Sequence, residues 1–201
     1  MKIPDTLFNK AFRPTLFILL LLPASYYAYS YWQGALGANP LEAVIRGLGD
    51  WGLRILLITL AISPLRRLLN WPQILRTRRM LGLYAYFYVI LHLVGYLWFE
   101  QFFDWEEVWF DILERPFITI GMVAVVLLTP LAFTSTKGMI KRLGKNWKRL
   151  HLLIYPISIM AVIHFLWMVK LDITEPVIYS GILAILLLER IVRKTKAVTS
   201  S

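Results

Sequence analysis

Six apolar stretches, each close to the length of helix that crosses a bilayer and separated by charged segments, constrain this 201-residue chain more than any other feature. A hydrocarbon core of roughly 30 Å takes about 20 helical residues to cross. The stretches cover 14–31, 51–69, 80–99, 117–133, 150–169 and 176–191. This pattern predicts an all-α integral membrane six-helix bundle, with 1–201 forming a single transmembrane domain. Composition agrees: 58% of residues are hydrophobic while the formal net charge is +10, a pairing that a water-soluble domain of this size does not need. Lys2, Lys10 and Arg13 ahead of the first run also describe a secretory signal peptide, but the run is long and five further spans follow, which favours a retained helix.

Lysine and arginine in short loops stay on the cytoplasmic side during insertion. Arg66 and Arg67 stand at the end of the second stretch and Arg76, Arg78 and Arg79 follow it, while Lys137, Lys141, Arg142, Lys145, Lys148 and Arg149 follow the fourth. Arg193, Lys194 and Lys196 follow the sixth, whereas Glu100, Asp104, Glu106, Glu107, Asp111 and Glu114 share one loop on the opposite side. The expected topology is multi-pass, with both termini cytoplasmic and the acidic loop outside. Trp98, Trp105 and Trp109 near the outer boundary and Trp147 near the inner one suit the headgroup layer. The basic balance is therefore topological, with membrane lipid rather than nucleic acid as its partner.

The chain contains no cysteine, which excludes disulfides, cysteine-ligated iron–sulfur clusters, thiolate zinc sites and covalent haem attachment. No Gly-rich phosphate motif, Ser-His-Asp arrangement or His-Glu-x-x-His site is present. A metal here must rest on His, carboxylate or Met.

A metal-binding side chain inside a span is expensive and so is a candidate functional group. His92 lies about twelve residues into the third stretch from its cytoplasmic end and His164 about fourteen into the fifth, or about 18 to 21 Å deep at the helical rise. Two histidines at matching depth on parallel spans can bind opposite faces of one haem in the outer half of the membrane. The competing reading is that each merely hydrogen-bonds a helix backbone or a polar neighbour. Gly95, three residues beyond His92, would let a flat macrocycle approach, although glycine in a span also serves helix packing.

His151 starts the fifth stretch, thirteen residues before His164, a rise of about 20 Å and a turn of roughly 140° on an ideal helix. Pro156 between them can kink or unwind that helix. A second bis-histidine site would need a partner near position 78 or 79, where Arg78 and Arg79 stand instead. Arginine is a poor metal ligand and a good partner for haem propionates or a flavin phosphate. The same arginines also read as topology signals and lipid anchors.

Several segments then fall into a known order. They are Arg76-Thr77-Arg78-Arg79-Met80-Leu81-Gly82-Leu83, Leu91-His92-Leu93, Arg115-Pro116-Phe117 and Leu131-Ala132-Phe133-Thr134-Ser135-Thr136. Leu143-Gly144-Lys145-Asn146-Trp147-Lys148-Arg149-Leu150-His151 then leads into Ile163-His164-Phe165-Leu166-Trp167-Met168-Val169-Lys170. On these pieces the chain resembles the MsrQ (YedZ) family across nearly its whole length. The resemblance implies a ferric-reductase-like transmembrane fold in a bacterial inner membrane, a haem b, and FMN as a further cofactor. It also implies a heterodimer with a periplasmic molybdopterin-dependent enzyme that reduces methionine sulfoxide in oxidised proteins. The implied electron donors are the quinone pool or a cytoplasmic flavin reductase.

The leading expectation is an electron-transfer subunit whose cofactor-binding residues are His92, His164, His151, Arg78 and Arg79, with His92 and His164 on haem iron and His151 a candidate for a second site. The alternative is a stand-alone membrane cytochrome b of the ferric or oxygen reductase type. Such enzymes attach a cytoplasmic flavin and nicotinamide domain, which is not expected after Ile191. A third class is a cofactor-free anchor or transporter using its histidines as a proton relay. The charge pattern generates a direct test: a reporter fused after Glu107 is expected to read out the periplasm and one after Lys145 the cytoplasm, and the reverse result overturns the topology.

Overall fold

The computed structural model describes residues 4–199, with side chains over 4–196, and all regular structure among them is helical. After a helical lead-in over 5–12 come α1 (Arg13–Trp32), α2 (Pro40–Leu68), α3 (Arg78–Gly95) and α4 (Trp105–Glu114). Then follow α5 (Pro116–Phe133), α6 (Lys137–Leu143), α7 (Lys145–Leu150), α8 (Ile154–Met168) and α9 (Thr174–Thr199).

Five helical segments are long and apolar enough to cross a membrane: Asp5–Trp32, Pro40–Leu68, Pro72–Glu100, Pro116–Phe133 and Lys145–Met168. The chain is thus a multi-pass membrane protein. The sixth expected span falls within α9, which is helical throughout but carries Glu175, Glu189 and Arg190 around its apolar stretch and does not meet the same measure. Those charges have partners inside the bundle. Arg54 of α2 donates to the Tyr179 hydroxyl at 2.6 Å and to Glu175 at 3.1 Å, Arg67 pairs with Glu189, and Arg190 bonds the Tyr155 hydroxyl and the Leu60 carbonyl. Pairing lowers the cost of charge in a low-dielectric setting and ties α9 along α2 and α8.

Local chemistry sets the helix ends. Asn39 accepts from the Glu42 amide with Pro40 at the first helical position, so α2 begins at Pro40 rather than at Trp51 as the hydropathy suggests. Asp104 accepts from the Glu106 and Glu107 amides and so starts a helix in the acidic connector, which the sequence reading treats as a loop. The connector is anchored through Asp111, a buried carboxylate that accepts from Tyr96, Gln101 and Arg115. Before α9, the Thr174 amide and hydroxyl hold the Asp172 carboxyl below its ordinary range. Between α7 and α8 the chain tightens into a 3-10 turn at His151–Leu153. Pro156 follows in the first turn of α8, where a missing amide hydrogen costs little.

The most extensive packing is between α2 and α3 and between α5 and α8. These two hairpins stand side by side, with α1 and α9 at the flanks. At the arginine-rich end Phe8 and Phe12 stack on each other and both meet Trp71 edge-on, and Arg76, lying over the Phe8 ring, reaches to Asp5.

Pro23 lies inside α1, and one turn of that helix is completed by another element. The fully buried Tyr88 hydroxyl donates to the Leu20 carbonyl at 2.7 Å and accepts from the Ala24 amide at 3.1 Å, the two groups a regular helix would join to each other. Replacing Tyr88→Phe leaves both without that partner and is expected to lower the unfolding free energy by roughly 1–3 kcal/mol. Equilibrium unfolding in mixed detergent micelles measures it.

Candidate functional site

The two hairpins meet around a cavity of about 610 Å³, within the usual range for ligand-binding sites. Its walls are largely apolar, with Leu53 and Leu56 on α2, Val89 on α3, Val125 and Leu128 on α5 and Phe165 on α8. Near the acidic connector it is rimmed by Arg46, Asp50, Glu100, Arg115 and Lys170. His92 projects into it from α3 and His164 from α8.

Their ring centroids are 6.1 Å apart, with planes at 79°. His92 Nδ1 lies 2.8 Å from the Ile45 carbonyl and His164 Nδ1 lies 2.6 Å from the Phe117 carbonyl. A carbonyl only accepts, so each Nδ1 carries the proton and each Nε2 keeps a free lone pair for the cavity. Imidazole nitrogens bind first-row metals at about 2 Å, which puts two imidazole centres on opposite sides of one metal ion roughly 6 Å apart. The facing rings, their fixed tautomers and the apolar walls fit an iron macrocycle held by two imidazoles. The competing reading of backbone-bonded histidines describes Nδ1 alone; Nε2 has no partner among the described residues.

The arrangement is built twice. In both hairpins the histidine lies 47 residues after the residue whose carbonyl it bonds. Gly49 sits against His92, and Gly121, one turn after Phe117, sits against His164 in the same way. Stepping from 45 to 117, 49 to 121 and 92 to 164 is one constant displacement along the sequence, and Leu56 maps onto Leu128 by the same step. Self-comparison of the sequence at that displacement pairs both histidines and both glycines, a signal the sequence reading missed. It also missed Arg46 and Lys170, whose roles as rim residues follow only from the fold.

Gly95 does not lie in the wall of the cavity. A Cβ there would meet Ile45 Cγ1 at 2.9 Å, so this glycine serves close packing of α3 on α2 and thereby seats the Ile45 carbonyl against His92.

His151, Arg78 and Arg79 stand apart from the cavity. His151 Nδ1 bonds the Trp147 carbonyl at 3.0 Å, its ring stacks on Trp147 at 3.9 Å, and its Nε2 is 3.5 Å from Ser135 Oγ. Trp147 is fixed in turn by its indole N–H on the Thr134 carbonyl. Arg78 is half-buried and close enough to His151 and Arg190 to interact with their charges, whereas Arg79 is exposed. The structure therefore brings Arg78, and not Arg79, to His151.

The family described as the ferric reductase like transmembrane component matches residues 46–162, from the residue after Ile45 to two residues before His164. A protein of Rhodospirillum rubrum named protein-methionine-sulfoxide reductase heme-binding subunit MsrQ is 51% identical over 181 residues, covering 90% of this chain and 87% of its own. Proteins of the same name from Azospira oryzae and Herminiimonas arsenicoxydans are 48% and 51% identical, covering 92% and 88% of this chain and 81% and 82% of their own. No solved structure matches the chain.

Proposed function

Because the chain belongs to the MsrQ haem-binding subunits, within the ferric reductase like transmembrane family, we propose that it relays single electrons across a bacterial inner membrane through a haem b between His92 and His164. The observation that carries this reading is the pair of imidazoles facing each other at 6.1 Å across the cavity, each with its Nδ1 already committed to a carbonyl. A haem bound there would supply reversible one-electron chemistry. The residues provide the rest. The two Nε2 lone pairs would hold the iron, the apolar walls exclude water, and Arg46, Arg115 and Lys170 at the rim would supply cations for the propionates.

The basic end is read as cytoplasmic, with both termini there and α9 as a sixth crossing whose charges are met by α2 and α8. Electrons enter on that side, from the quinone pool or a flavin reductase. His151, Arg78 and Tyr155 offer a quinone or the phosphate of FMN hydrogen bonds and positive charge; Arg79 can contribute only from the surface. Electrons leave on the acidic side to a periplasmic molybdopterin-dependent methionine sulfoxide reductase, in a heterodimer that docks against α4. The names of the relatives support this subunit role over a stand-alone ferric or oxygen reductase.

Two outcomes test the reading. Substituting His92→Ala or His164→Ala is expected to abolish the reduced-minus-oxidised haem spectrum at unchanged protein level, and an intact spectrum in both variants rejects the ligation. His151→Ala is expected to keep that spectrum and to slow its reduction by a quinol at least several-fold. Loss of part of the haem signal instead assigns His151 to a second haem, and no change in content or rate makes it an interfacial residue only.

A further inference from the structure

Resting on the haem reading above, we propose that Gly49 and Gly121 are positioning residues for the two axial imidazoles, each uncovering the one main-chain carbonyl that fixes its histidine. In an α-helix every side chain leans toward the N-terminus and covers the turn before it. The carbonyl of residue i, which already accepts from the amide of residue i+4, has its second lone pair screened by the side chain at i+4. Ile45 and Phe117 are the two carbonyls used, and the residues four positions on are Gly49 and Gly121. Glycine at that place opens the carbonyl to a side chain arriving from the neighbouring helix.

The fit is close enough that a single methyl group is felt. A Cβ at Gly121 would stand 2.8 Å from His164 Nδ1 and 3.0 Å from its Cε1. At Gly49 it would stand 3.0 Å from His92 Nδ1 and 3.2 Å from its Cε1. Neither ring can retreat without giving up its bond to the carbonyl, because the atom crowded is the atom bonded. The clash is the more severe at Gly121, so its substitution is the more damaging. The device is shared by both hairpins, which places it in the repeated unit rather than in the packing of one helix. Groups that orient a ligating histidine typically matter ten- to a hundredfold in affinity for the bound metal.

The geometry also predicts a spectroscopic signature. Imidazole planes at 79° across one ferric iron give a strongly anisotropic low-spin electron paramagnetic resonance signal, and tilting either ring changes it. Full-length protein purified in detergent is compared with Gly49→Ala, Gly121→Ala and Gly82→Ala, the last a control because a Cβ there meets only Thr59 Cγ2 at 3.9 Å. The expected result is an unshifted signal and full haem content for Gly82→Ala. A displaced low-spin signal with about tenfold or greater loss of haemin affinity is expected for Gly121→Ala, and a smaller change of the same kind for Gly49→Ala. Haemin titration of apoprotein that stays monodisperse separates ring misplacement from misfolding. Should Gly121→Ala not accumulate, Gly49→Ala decides by the same criteria. Unchanged signal and affinity in the glycine variants, with low-spin haem in the parent protein, overturn this inference alone. Absence of haem from the parent protein overturns the function it rests on.

Discussion

Each cavity histidine gives its Nδ1 proton to a main-chain carbonyl of the neighbouring helix, and the central part of the bundle is arranged around those two bonds. An imidazole in an apolar cavity has one donor to satisfy, and leaving it bare costs about 1–3 kcal/mol. Meeting that need with a helix carbonyl requires the two backbones to come close. Close approach in turn demands glycine at 49 and 121 against the rings and at 95 where α3 crosses Ile45. One polar requirement thus accounts for the tight α2–α3 and α5–α8 hairpins and for the two imidazoles, 6.1 Å apart, that line the cavity between them with Nε2 unbonded.

Charge inside the bundle follows the same rule of internal satisfaction. Arg54, Arg67 and Arg190 sit at three levels along α2 and α9, and each is met by a carboxylate, a tyrosine hydroxyl or a carbonyl from another helix. The two ends of the molecule are left chemically distinct. One is cationic, with His151 stacked on Trp147 beside the half-buried Arg78. The other is capped by the α4 connector, whose buried Asp111 fastens it to Tyr96 on the helix that carries His92.

The MsrQ relatives and the ferric reductase like transmembrane match place these features in a haem-binding membrane subunit of a methionine sulfoxide reductase. Within that frame the unit of carbonyl, glycine and histidine occurs once in each hairpin, so that both hairpins line one cavity with the same local geometry. The second copy replaces Arg46 by Ile118 and Asp50 by Met122 at the corresponding wall positions, so the polar rim belongs mainly to the first copy and to the connectors.

The sequence by itself determined the all-helical class, six apolar stretches of which five coincide with helices long and apolar enough to cross a membrane, the charge asymmetry and the singling out of His92, His164 and His151. Each of these depends on properties carried by one segment at a time: run length, hydropathy, and the rarity of ionisable groups within apolar stretches. Only the tertiary structure decided that α2 begins at Pro40, that the acidic connector is a capped helix, that Arg78 and not Arg79 approaches His151, and that Gly95 packs helices instead of lining the cavity. It alone showed which carbonyls hold the histidines, because a hydrogen bond across 47 residues leaves no mark on local composition. The physical reason is that hydropathy measures what a segment prefers as its solvent, whereas contacts between helices are set by where side chains are absent, and a glycine says nothing of what will fill the space it leaves.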